Sequence, residues 1–186
     1  MNIFNKILLT SFISASLILT ACTEKKNTDS TQKSADAQPS ISSGNWQVKA
    51  SELSSMNDAD IKADLTQLNL IVNQSNRQAT QLKDEAQSVA QDPEKLKAIL
   101  SQSNDIQKQT QEQIMGLTLK SAEVQNIRTQ MIDSLMISQK LFELSTATGF
   151  NMTAPSDEFK QLAQRSMATQ QKISAELDAL NKQYAQ

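Results

Sequence analysis

Cys22 is the single cysteine of the chain, and there is no histidine. Without imidazole, His-based acid/base catalysis, Ser-His and Cys-His nucleophile pairs and the usual zinc and copper sites are excluded. So is the Glu-x-x-His motif of di-iron bundles. With one cysteine there is no intramolecular disulfide and no Cys-x-x-Cys for a metal or covalent haem. The carboxylate pairs Asp84/Glu85 and Asp157/Glu158 are neighbours in sequence. Neighbours on a helix do not face each other, so they read as solvated faces or first-turn dipole partners. Gly116 and Gly149 stand alone, without a phosphate-cradling loop. Met115, Met131, Met136, Met152 and Met167 could bind soft metals or apolar ligands, but their spacing suits core gap-filling. No catalytic residue, metal site or cofactor is expected, and the chain is not expected to be an enzyme. The remaining candidate is Cys22 itself.

Its surroundings are ordered. Met1 to Lys6 carries one positive charge, Ile7 to Leu19 carries none and is mostly apolar, and the small residues Thr20 and Ala21 follow. A basic start, an apolar run and a small-residue cleavage site form the secretory leader pattern. The run of about 13 residues is too short to cross a ~30 Å hydrocarbon core as a helix. Leu19-Thr20-Ala21-Cys22 resembles the lipobox of bacterial lipoproteins. The resemblance covers residues 1–22 only. It implies that 1–21 is removed and that Cys22 becomes an N-terminus carrying diacylglyceryl and N-acyl groups. Two or more chains anchor stably where one is marginal, at ~0.8 kcal/mol per buried methylene. Residue 23 is Thr rather than Asp, which by the same resemblance favours the outer membrane over the inner.

Residues 22–44 follow as a tether of Ser, Thr, Lys, Asp and Gln, with Ile41 its only large apolar side chain. Such a stretch cannot bury enough surface to offset its chain entropy and is expected to be disordered. Its r.m.s. span is roughly 25 Å. The full chain has a net charge of −2. Losing Lys6 with the leader leaves about −3, which disfavours nucleic acid as a partner.

From Asn45 onward two glycines and two prolines punctuate a Gln-, Ala-, Ser- and Leu-rich sequence. That composition suits long helices. Asp92-Pro93 supplies an N-cap and a first-turn proline. Gly149 and Pro155 bracket the other turn. The reading is all-α: helices at about 51–91, 93–148 and 155–184, with Asn57-Asp58 an alternative start for the first. Its seam runs Ile61, Leu65, Leu68, Val72, Ser75, Ala79, Leu82, Ala86, Val89. Alternating steps of four and three give the 3.5-residue period of coiled coils. The second helix begins Leu96, Ile99, Ser103, Ile106, Thr110 and then shifts phase, through two four-residue steps from Ile106 to Ile114, to Ile114, Leu117, Ser121, Val124, Arg128, Met131, Leu135, Ser138 and Phe142. The third shows Phe159, Ala163, Ser166, Gln170, Ile173, Leu177, Leu180 and Tyr184. Small and polar seam residues predict slim packing and moderate stability.

Short turns make neighbours antiparallel. The expected architecture is an elongated antiparallel three-helix bundle, a coiled-coil hairpin whose third helix covers the half beyond Ile114. The Asp92-Pro93 end projects as a two-helix arm. Wide apolar faces at Leu70, Ile71 and from Met115 to Leu144, including Met136, motivate that cover. Trp46, Val48, Leu53 and Met56 fall opposite Arg128 to Met136. A break at Gly116 would instead give a four-helix up-down bundle. The expected function is a lipid-anchored envelope protein offering a helical surface to another envelope protein, with Val89, Asp92, Pro93 and Leu96 as the contact tip. A periplasmic binding module for apolar ligands or unfolded chains is one alternative. Self-assembly with further copies is another.

Overall fold

Asn57 opens the first helix: its side chain accepts hydrogen bonds from the amides of Ala59 and Asp60, and two acids follow in the first turn. This is a capped, dipole-matched N-terminus. The computed structural model describes residues 44–151 and 153–184. The described residues form four α-helices: α1 (Asp58–Ser88), α2 (Pro93–Gly116), α3 (Ala122–Thr146) and α4 (Asp157–Tyr184). A 3-10 turn, Ala50–Glu52, precedes them. The leader, Cys22 and the tether up to residue 43 lie outside the described residues, as does Met152. Among the described residues no helix is long and apolar enough to cross a membrane.

Two sequence expectations are corrected here. The first helix begins at Asp58, not at about Ser51, because the cap at Asn57 outcompetes a backward extension through Met56, whose φ is +57°. The helix expected over 93–148 is two helices. It stops at Gly116, Leu117 turns to an extended conformation, and α3 starts after Ser121. Glycine is a poor interior helix residue by ~1 kcal/mol relative to alanine. Here the extended backbone that follows it is fully used by other groups, which tips the balance to a break.

Helix neighbours are antiparallel. Thr110 reaches Ser75 between α2 and α1 at 3.3 Å, and Gln139 donates to Gln111 between α3 and α2 at 2.6 Å. Arg165 of α4 pairs with Asp133 of α3 at 2.9 Å, and Asn69 of α1 donates to Asn181 of α4 at 2.8 Å. Most seam positions are buried, including the small ones Ser75, Ala79, Ser103 and Thr110, while Val89, Leu96, Ile106, Leu117, Phe142, Ala163, Gln170, Leu180 and Tyr184 are only partly buried.

The apolar core falls into three clusters. The largest draws on all four helices, from Ile61, Leu65 and Leu68 through Ile114, Val124 and Met131 to Ile173 and Leu177, with Trp46 packed against it. This is the base. A second cluster, Leu82, Ala86 and Ile99 with Val89, Leu96 and Ile106, joins α1 to α2. A third, Ile137, Leu141 and Phe159 with Phe150 and Leu162, joins α3 to α4. Near the last turn Gly149 takes φ +85°, a conformation that costs glycine little. Phe150 then packs against Phe159 in a tilted arrangement, ring centroids 5.1 Å apart and planes at 50°. The wide-face expectation fails at two positions: Leu70 and Met136 are 67% and 57% exposed. The neighbours of α1 and α3 cover the seam flank but not those outer positions.

Candidate functional site

The break leaves Leu117 to Ser121 outside any helix. Extended backbone in a protein interior must find partners for its amides and carbonyls. They come from two buried charged residues and from a strap, residues 44–57, that wraps the base ahead of α1.

Asp64 lies on α1 beside the seam residues Ile61, Leu65 and Leu68. Its Oδ2 accepts from the amides of Lys120 at 2.8 Å and Ser121 at 2.7 Å, and from Ser121 Oγ at 2.7 Å. Arg128 occupies a seam position of α3. Its Nε donates to Gln125 Oε1 at 2.6 Å and its Nη1 to the Leu117 carbonyl at 2.5 Å. Its Nη2 donates to the Asn45 carbonyl at 3.0 Å and to Asn45 Oδ1 at 2.9 Å. Asp64, Ser121, Gln125 and Arg128 are each 2% exposed or less. Burial pulls the Arg128 pKa down to about 10, and the Asp64 charge works in the opposite direction. Arg128 therefore stays a cation at neutral pH, with every guanidinium nitrogen engaged. A buried charge persists only when paired and hydrogen-bonded in this way.

The strap completes the site. The Asn45 side chain accepts from the Leu119 amide at 2.9 Å and donates to the Leu119 carbonyl at 2.6 Å, imitating one rung of a sheet. Ser54 forms a parallel bridge to Ser121: its amide donates to the Lys120 carbonyl and its carbonyl accepts from the Ala122 amide. Gln125 Nε2 donates to the carbonyls of Trp46 and Val48. Glu123 Oε1 accepts from the Met56 amide at 2.8 Å and from Ser55 Oγ at 3.2 Å. Burial pushes the Glu123 carboxyl up, but the hydrogen bonds from Met56, its own amide and Ser55 hold it below the ordinary value. At Gly44 an added Cβ would lie 2.3 Å from the Met115 carbonyl oxygen and 2.4 Å from that of Leu117. Only glycine passes there.

Two open grooves flank Asn126 and Thr129 on α3. One, of about 470 Å³, lies against the strap from Trp46 to Ala50, with Gln125 and Ile132. The other, of about 620 Å³, lies against Lys172, Glu176 and Leu180 of α4. Among the described residues no group of three or more acids or other ligating side chains is placed to hold a metal ion. The arrangement positions chain segments through hydrogen bonds.

The tip residues from the sequence come together at the α1–α2 turn. Asp92 caps α2, accepting from the Lys95 amide at 3.2 Å, and Pro93 is its first residue. The Lys95 amide, then the Lys95 ammonium, keep the Asp92 carboxyl below its ordinary value. Val89 and Leu96 pack into the arm cluster. Asp64 was not singled out by sequence reasoning. The available signal was Arg128, a cation at a seam position, whose burial calls for hydrogen-bond acceptors around it.

The family model described as uncharacterised lipoprotein PM1805 matches residues 62–185. No curated protein matches the chain, and no solved structure does. The matched stretch contains Asp64, Arg128 and nearly all of the four helices, and it begins well after Cys22. The lipobox resemblance and the family match thus rest on separate parts of the chain and agree on a lipid-anchored protein. Since the match spans about two thirds of its length, the chain belongs to the uncharacterised lipoprotein family PM1805.

Proposed function

We propose that this lipoprotein is a non-catalytic component of the cell envelope, held in the outer membrane through acylated Cys22, whose helical body presents a surface to a protein partner. The observation that carries the reading is the strap. It continues directly from the tether behind Cys22 and is fastened into the base by Asn45, Ser54 and the buried Arg128. The anchor therefore pulls on the base, and the Asp92-Pro93 turn faces away from the membrane. α1 has 31 residues, so at 1.5 Å per residue the turn stands roughly 45 Å from the base.

The proposed contact tip is Val89, Asp92, Pro93 and Leu96, continuing the coiled-coil-like α1–α2 arm. Val89 and Leu96 also close the arm, so truncating them would loosen it. Charge reversal at exposed Glu94 and Lys97 leaves that cluster whole. Cross-linking in cells should recover a partner with the wild type and lose it with the Glu94→Lys/Lys97→Glu variant. Unchanged recovery contradicts the tip assignment. The apolar binding module has less support, because Met131, Ile132, Leu135, Ile137 and Leu141 are buried.

A further inference from the structure

The Leu117–Ala122 edge, with Gln125 and Arg128 beneath it, is built as a receptor for an extended peptide. It offers the Leu119 amide and carbonyl, the Lys120 carbonyl and the Ala122 amide for main-chain pairing, as sheet-edge peptide sites do. Arg128 and Gln125 add donors for peptide carbonyls. In the structure every one of these groups is taken by the chain's own strap. The entry point admits only glycine at Gly44, and at the next position Arg128 donates to the Asn45 side chain.

We propose that this receptor also takes the strap of a second copy, so that anchored molecules exchange straps to form a dimer. Two observations carry the step. First, the occupant's fit is already seen within one chain, since the second strap is the same sequence. Second, the hinge between strap and α1 is strained: Met56 has φ +57° and is 82% exposed. A non-glycine residue is rarely held there, and an extended hinge, which lets the strap reach a neighbour, relieves it. Exchange of an identical element is a low-cost route to dimers, and confinement to one membrane raises the effective concentration of the second strap.

The test uses the full lipidated chain in membranes. Gln47 and Asn126 are exposed and line the same strap-side groove, so cysteines there leave the fold undisturbed. Co-expressed Gln47→Cys and Asn126→Cys copies are treated with a short bis-maleimide. Exchange gives a cross-linked heterodimer, and adding Met56→Gly, which makes the closed hinge unstrained, lowers its yield about threefold or more. The inference is overturned if the double variant cross-links within one chain while the co-expressed single variants give no dimer. A heterodimer yield indifferent to Met56→Gly overturns the hinge argument on which the exchange rests.

Discussion

Replacing Asp64 with alanine should be among the most costly single changes in the body. The carboxylate takes two backbone amides and the Ser121 hydroxyl on one oxygen. Its removal strands the two Ser121 donors in a site with no exposure and takes away the negative charge that favours the Arg128 cation. Two orphaned buried donors at about 1–3 kcal/mol each give an expected loss of about 3–5 kcal/mol. Against a typical stability of about 5–15 kcal/mol, that is a large share. It should lower the melting temperature by roughly 10 °C or more. The assay is urea unfolding of the soluble chain from Thr23, followed by circular dichroism and by Trp46, the only tryptophan. Trp46 reports the strap, and circular dichroism reports the helices. The control is Asp133→Ala, which breaks the exposed pair to Arg165 and should cost under about 1 kcal/mol. If Asp64→Ala costs no more than the control, the buried latch does not hold the base.

Gly44→Ala should free the strap without melting the helices. Trp46 emission should shift to the red and proteases should cut before Asp58, while helical circular dichroism is kept. Acidification should act at Glu123, whose folded pKa is lowered. Its contribution is present above the unfolded value near 4.5 and is lost as pH falls through the folded value. Trp46 emission should therefore change on acid titration, and Glu123→Gln should flatten the change while weakening the strap at neutral pH. Asp92→Ala removes the α2 cap, which should be seen as faster amide exchange confined to the arm. Cys22→Ala should abolish metabolic labelling by a fatty-acid analogue and release the protein from membranes. Retained labelling would put the lipid elsewhere.

The seams were legible because burial on a helix follows a period that sequence carries directly. Ile61 to Ala86 on α1 and Val124 to Ser138 on α3 are buried as spaced. The Asp92-Pro93 turn and the stop at Gly149 were legible because caps and breakers are local chemistry. The break after Gly116 was only an alternative, since a lone glycine does not decide between a kink and a turn. What decides it is nonlocal: Asp64 is 57 residues from the Ser121 it binds, and Asn45 is 83 from Arg128. Trp46 and Val48 were placed opposite Arg128 by register alone, and they do sit against Gln125. Their role as backbone acceptors, independent of side-chain type, leaves no sequence trace. Met56 was grouped with them as cover but points to solvent, because its left-handed backbone turns the chain away.

The orientation of the anchored body is tested most directly by distance from the membrane. A fluorophore placed in turn at Lys120, at the base, and at Glu94, at the tip, is quenched by acceptors in the lipid headgroups of vesicles carrying the lipidated protein. The account predicts strong quenching at Lys120 and little at Glu94, with the two heights differing by roughly 40 Å, the rise of some 27 helical residues. Equal quenching at both sites, or stronger quenching at Glu94, would contradict a body held by its base.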